Sequence, residues 1–184
     1  MSQLIAEGKV RAWGISETTE DYLRRANAIC PVAAVQMRYS MMARWHESLW
    51  PALEELNIAF VAFSPLANGF LTGAYGPKTA FGGAQDYRAG MPQYTEEGER
   101  RAEPLARLLA QISHEREATP AQVSLAWMLA KRPWIVPIPG SRKDGRLREN
   151  LGSADIQLSA DEVARIDALL DSLDLMVFGG HKVR

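Results

Sequence analysis

Arg142, Lys143 and Arg146 put three cations in a five-residue stretch, directly after the turn Pro139-Gly140 and beside Ser141. Side chains of this kind bind anions. Arg142 and Arg146 are four residues apart and can project from one face of a helical turn, and a guanidinium fork matches the oxygens of a phosphate. The run before them, Trp134 to Ile138, is short and apolar and reads as a strand, while Ser141 is placed to cap a helix that starts near Lys143. A helix start brings free N–H groups and the positive end of its dipole to the same place. Strand, turn, helix start and cations together have the layout of a phosphate site. On these residues alone an ordinary solvated helix start fits equally well.

The elements that would position such a site recur along the chain. Val10 to Ile15, Val32 to Met37 and Ile58 to Phe63 are apolar runs bounded by Gly, Pro, Ser or Asn, and each predicts a strand. Helical spacing appears in Asp21 to Ile29 and in Glu47 to Leu56, the latter through Leu49, Leu53 and Leu56. Thr119-Pro-Ala-Gln122 and Ser159-Ala-Asp-Glu162 are capping boxes that open two more helices, the first with Pro at its first position. Ala126, Leu125, Leu129 and Ala130 continue the buried face of one. Leu158 and Val163 are set for a hydrophobic staple on the other, with Val163, Ile166, Leu169 and Leu170 as its stripe. Strands without polar alternation, separated by helices, predict an α/β fold of parallel strands covered by helices. Sites in such folds collect at the carboxyl ends of the strands. Those ends read Gly14-Ile-Ser-Glu17, Gln36-Met-Arg-Tyr-Ser40, Phe63-Ser-Pro-Leu-Ala-Asn-Gly69 and Pro139-Gly-Ser-Arg142, all polar and turn-forming.

Here the chain resembles a known family, the aldo-keto reductases, NAD(P)H-dependent (β/α)8 TIM barrels. The matching segments are Glu7 to Glu17, Val35 to Ser40, Ala62 to Gly73, Thr119 to Trp127, and Val136 to Arg142 continuing through Arg146 to Leu151. In order and spacing they resemble barrel strands five to eight, so the resemblance implies half of a barrel: four βα units forming one cofactor-binding unit over residues 1–184. By the same resemblance Ser16 and Gln36 stand where the family holds the nicotinamide carboxamide, and Phe63 where an aromatic ring stacks on the nicotinamide. Ser64, Leu66, Asn68 and Gly69 correspond to the pyrophosphate cradle. Ser141, Arg142 and Arg146 look like the clamp on the adenosine 2'-phosphate, and Glu149 and Asn150 like the adenine and ribose contacts. Two guanidinium groups suit a dianionic 2'-phosphate, so the implied cofactor is NADPH rather than NADH. Glu17 departs from the Asn that many relatives carry.

The family's Asp, Tyr, Lys and His tetrad belongs to its first four strands, and the segments matched here resemble the other four. Catalytic residues are therefore expected to be absent, and the chain inactive in carbonyl reduction by itself. Tyr39 and His46 are the nearest substitutes, yet Tyr39 belongs to the cofactor-half motif and His46 opens a helix. His114, within a helix, and His181, in the tail, read as solvated surface residues. Asp174 to Gly180 resembles the ending of one branch of the family, which puts the expected loss at the N-terminal side. Residues 76–95, rich in Gly and aromatic residues, predict a lid over the cofactor, and Asp86, Arg88 and Pro92 stand where similar reductases carry Asp, Arg and Pro.

A net charge of −1 gives no field for nucleic acid, no apolar run reaches a membrane span, and the first residues do not read as a signal peptide, so a cytoplasmic protein is expected. Cys30, the only cysteine, reads as a buried thiol at a helix-to-strand joint, and no metal site is expected. A half barrel leaves two strand edges unpaired and is expected to expose interior residues including Val35, Ile58, Val61 and Ile135. The expected partners are a nicotinamide cofactor together with a second copy of the chain or a complementary N-terminal barrel half. The alternative function is a non-catalytic nucleotide-binding or assembly module.

Overall fold

Four short strands run parallel in the order in which they occur in the chain: β1 Gly14–Ser16, β2 Ala34–Arg38, β3 Ala59–Phe63 and β4 Ile135–Pro137. The structure, a computed structural model, describes residues 1–76, 78–81 and 86–179. His181 and Gly180, like Pro77 and residues 82–85 of the expected lid, lie outside the described residues. The α-helices are α1 Ser2–Ala6, α2 Glu20–Ile29, α3 Trp50–Leu56, α4 Glu96–Glu115, α5 Pro120–Lys131, α6 Asp144–Leu151 and α7 Ala160–Ser172. This is the expected parallel α/β architecture.

The strands start later than their apolar runs because the first amides of three of those runs are committed elsewhere. The Val10 N–H returns to the carbonyl of Leu4 at the end of α1, after Gly8 turns the chain at φ +70°. Val32 donates to Asn27 Oδ1 at 2.8 Å, and Ile58 donates to the carbonyl of Leu53, closing α3 behind the left-handed Asn57. Glu47 to Leu56 is likewise two pieces rather than one helix. Pro51 has no N–H for an α-ladder to continue through, so a 3-10 helix, Trp45–Leu49, precedes α3. Both predicted capping boxes form, at Thr119 with Gln122 and at Ser159 with Glu162.

The core fills one side of the sheet. Ile15, Val35, Phe60 and Ile135 are consecutive register partners, and the last three are buried against Leu23 of α2, Leu53 of α3, Trp127 of α5 and Ile166 of α7 within one cluster. This corrects the expectation that Val35, Ile58 and Ile135 are exposed: side chains alternate along a strand, and these three take the helix-packed side. The opposite row, Ser16, Gln36, Val61 and Val136, is the uncovered one; Val136 is 50% exposed and Ile138 43%. Tyr39 stacks on Trp127 with ring centroids 5.7 Å apart and meets Phe60 and Trp50 edge-on. Each such pair contributes about 0.5–1.5 kcal/mol beyond burial.

The outer strands are β1 and β4, and their free edges differ. Trp134 O and Ile138 N pair with β3, so by alternation the peptide groups of residues 135, 137 and 139 face outward. Positions 137 and 139 are prolines, and the Ile135 N–H is held by the carbonyl of Arg132. Cys30 is buried at the carboxyl end of α2, as expected. His114 is exposed near the C-terminal end of α4. No described helix is long and apolar enough to cross a membrane, and no group of three potential metal-binding side chains occurs among the described residues.

Candidate functional site

The residues singled out in the sequence gather in two adjoining regions at the carboxyl ends of the strands. On the open sheet face Ser16 and Gln36 are register partners and both are exposed. Ser16 Oγ donates to the Gln36 carbonyl at 3.3 Å, and the Glu17 N–H donates to the same oxygen at 3.0 Å. The Gln36 side-chain amide has no hydrogen-bond partner among the described residues. Phe63 ends β3, half-buried, with the Arg38 guanidinium 4.9 Å from its ring centroid.

The second region is an open cleft of about 1110 Å³ between the loop after β3 and the turn after β4. Nine of the twelve predicted cofactor residues line it: Ser64, Leu66, Asn68, Gly69, Ser141, Arg142, Arg146, Glu149 and Asn150. The other three, Ser16, Gln36 and Phe63, do not line the cleft; they sit on the sheet face beside it.

The loop after β3 is built from left-handed backbone, with φ of 53° at Ser64, 48° at Ala67, 60° at Asn68 and 99° at Gly69. Glycine takes this region freely, whereas Ser and Ala hold it at about 1–3 kcal/mol each. Side chains fix the loop by its carbonyls. Gln93 Nε2 donates to Ala67 O at 3.4 Å, Tyr94 Oη to Asn68 O at 3.1 Å, and Thr72 Oγ1 to Gly69 O at 2.6 Å. Gln93 is fully buried, and its Oε1 accepts from the Phe178 N–H at 2.9 Å, so the tail is tied to this loop. Asn68 Oδ1 is buried without a hydrogen-bond partner among the described residues.

Across the cleft, Ser141 does not cap α6. Its Oγ accepts from the Lys143 N–H at 3.1 Å, a serine turn two residues long, and Lys143 becomes the residue that precedes the helix. Arg142 therefore lies ahead of α6, and the shared helical face expected for Arg142 and Arg146 does not exist; the turn brings Arg142 to the cleft and the first turn of α6 brings Arg146. Among the described residues no carboxylate pairs with Arg142, Lys143 or Arg146. Arg146 Nη2 donates to Tyr75 Oη at 3.2 Å, and Arg146, then Arg88, pulls the Tyr75 phenol below its ordinary pKa.

Tyr75 lines the cleft although the sequence reading assigned it no part there, and it stands with Tyr87 of the expected lid and Lys143 of the cation cluster. Asp86 caps the 3-10 turn Tyr87–Gly90 and grips the Arg88 guanidinium at 2.9 and 2.6 Å, and that guanidinium stands 4.8 Å from the ring centroids of both Tyr75 and Phe81. Of the described part of residues 76–95, Asp86, Tyr87 and Arg88 thus line the cleft. Pro92 opens the 3-10 turn Pro92–Tyr94 and does not line the cleft.

The two candidate acid–base groups sit elsewhere. Tyr39 is fully buried in the helix-side core, its Oη donates to Glu47 Oε1 at 2.7 Å, and burial drives its pKa far up. His46 lies in the 3-10 helix before α3 with a buried, unpartnered Nε2, and burial lowers its pKa.

This arrangement has counterparts among known proteins. Residues 1–171 match the Aldo/keto reductase family. The chain is 37% identical over 179 residues to Aldo-keto reductase str7 of Strobilurus tenacellus and 35% identical over 180 residues to Aldo-keto reductase yakc [NADP(+)] of Schizosaccharomyces pombe. These alignments cover 95% and 96% of this chain and 53% of each relative. The crystal structure of an aldo-keto reductase from Klebsiella pneumoniae in complex with NADPH superimposes with a TM-score of 0.66 at 26% identity, over 92% of this chain and 51% of that one. The chain thus spans about half the length of the curated relatives it matches. With four parallel βα units in the family's order and a family match over nearly all of its length, the chain belongs to the aldo/keto reductase family.

Proposed function

We propose that this chain is the NADPH-binding half of an aldo-keto reductase-like oxidoreductase, and that these 184 residues do not reduce carbonyl compounds unaided. The observation that carries the first part is the convergence, on one cleft, of a left-handed loop after β3 and three cations after β4 that have no carboxylate partner among the described residues.

The residues fit the cofactor. Arg142, Lys143 and Arg146 have full charges available for a phosphate, with Ser141, Glu149 and Asn150 around them, and Gly69 leaves room for backbone to approach an anion. The orphaned Asn68 Oδ1 calls for a donor such as a sugar hydroxyl. Beside the cleft, Ser16 and Gln36 supply a hydroxyl and an amide for a carboxamide, and Phe63 a ring for stacking. The described part of residues 76–95 would close over the cleft as a lid. NADPH, when bound, supplies a hydride for the carbonyl carbon of an aldehyde or ketone.

The second part follows from the proton. An alkoxide forming on the substrate needs a positioned acid. No Tyr or Lys occurs within the four strands, and the Tyr39 phenol is buried on the far side of the sheet, donating to Glu47. The purified chain is expected to show negligible NADPH oxidation with nitrobenzaldehyde; turnover of about 1 per second or more that persists to homogeneity would refute this part. Fluorescence titration is expected to show NADPH binding more tightly than NADH. Equal affinities would refute the 2'-phosphate assignment.

A further inference from the structure

We propose that Arg38 is an anion-binding, specificity-determining residue that selects carbonyl compounds bearing a carboxylate. The proposal rests on the nicotinamide-side assignment of Ser16, Gln36 and Phe63 made above.

Arg38 ends β2 and is the register partner of Phe63, one step along the strand face from Gln36. Its guanidinium stands 4.9 Å from the Phe63 ring centroid and 5.9 Å from that of Phe178, and a β-carbon on Gly179 would lie 3.2 Å from its Nε. The five N–H donors of the guanidinium lie in its plane, and none has a hydrogen-bond partner among the described residues. The Glu17 carboxylate acts on the guanidinium through its charge alone, and its Oε1 accepts from the Arg38 main-chain N–H at 3.3 Å. Burial draws the guanidinium's pKa below its ordinary value, against the opposing pull of Glu17.

A half-buried guanidinium whose N–H donors go unpaired is costly, and a protein retains one where a ligand completes it. The phosphates of the proposed cofactor already have the cleft residues, Arg142, Lys143 and Arg146 among them. Arg38 stands instead at Phe63, beside the end where the reacting carbon would lie. A planar guanidinium fork with unpaired donors matches a planar carboxylate in a bidentate pair. The substrate class is therefore oxo acids and acid semialdehydes rather than neutral aldehydes.

The test uses the 184-residue chain labelled with nitrogen-15, with and without saturating NADP+, titrated with pyruvate, with its neutral counterpart pyruvamide, and with inorganic phosphate. The Arg38 Nε–H resonance is expected to shift saturably with pyruvate, with pyruvamide and the Arg38→Gln variant each binding at least about tenfold more weakly. Equal binding of pyruvate and pyruvamide would overturn the proposal, as would pyruvate binding unchanged in Arg38→Gln. A resonance that responds to phosphate and is silenced by NADP+ would overturn it too, assigning Arg38 to the cofactor's phosphates. Arg38→Lys, which keeps the charge and loses the fork, is expected to bind pyruvate with intermediate affinity, and carries the test if Arg38→Gln unfolds; pyruvate binding in it as tight as in the parent chain would overturn the fork argument. NADPH titration of the same samples separates the readings: a chain that binds NADPH but ignores pyruvate refutes this proposal alone, and one that binds pyruvate at Arg38 but no NADPH refutes the cofactor reading.

Discussion

Gly69 sits at φ +99° with the Tyr75 ring 3.1 Å from where a β-carbon would be, so an alanine there meets both a forbidden backbone region and an aromatic wall. Gly69→Ala is expected to destabilise the chain by about 1–3 kcal/mol and to weaken NADPH and NADH binding alike, because it deforms the loop both cofactors share; calorimetry with parallel fluorescence titration checks this. Arg146→Ala is expected to behave differently. Loss of one charge-assisted contact should weaken NADPH about ten- to a hundredfold, some 1.5–3 kcal/mol, and leave NADH nearly unchanged, and equal weakening of the two would remove Arg146 from the 2'-phosphate. Much of this site is legible from residue type: a cluster of cations, a glycine after a strand, a polar strand end. Tyr75 was not legible, since its place beside Arg146 depends on the fold of a loop 71 residues away in sequence. Ser141 misled for a local reason, as its hydroxyl satisfies the N–H two residues on before any helix begins.

At the scale of elements, α7 depends on its first turn. Glu162 completes the capping box and also grips Arg116 in a bidentate pair, Nε to Oε1 at 2.7 Å, which holds its carboxyl down to about 2 from an ordinary value of 4.5. A carboxylate with a depressed pKa stabilises the fold above its unfolded value, so this contribution is whole above about pH 4.5 and drains away as pH falls toward about 2. Glu162→Gln is expected to flatten the fall in melting temperature over that window; an unchanged slope would show the pair idle. Gly98, in the first turn of α4, has the Pro92 carbonyl 2.1 Å from a would-be β-carbon. Gly98→Ala should push the Pro92–Tyr94 turn off α4 and cost roughly 1–3 kcal/mol, with a melting temperature lower by about 2–4 °C per kcal/mol. Elements with explicit punctuation, the two capping boxes above all, are readable from the chain. Strand starts and the buried face of the strands are not, because Val10, Val32 and Ile58 spend their amides on neighbouring helices and an apolar run hides its own alternation.

For the whole molecule, the helices cover one side of the sheet, and the row Ser16, Gln36, Val61 and Val136 is the uncovered side. Light scattering on the 184-residue chain is expected to give a mass above 20.4 kDa, through a second copy or a complementary barrel half, with hydrophobic-dye binding if neither is present. A sharply melting 20.4 kDa species that binds no dye would defeat this. The outward side of β4 has a bearing on how such a seam can close. With Pro137, Pro139 and a committed Ile135 amide, it offers carbonyls and no spare N–H groups, whereas the β1 edge keeps the N–H groups of Gly14 and Ser16. Any strand that joins β4 must bring every donor itself, so the seam is polar in the sense that a plug and socket are. Two β4 edges that meet gain no hydrogen bond from each other, so like-to-like pairing along this seam is cut off at its first step. Pro137→Val would give that edge a donor, and the expected price is a chain that stains with thioflavin T at concentrations where the parent stays dispersed.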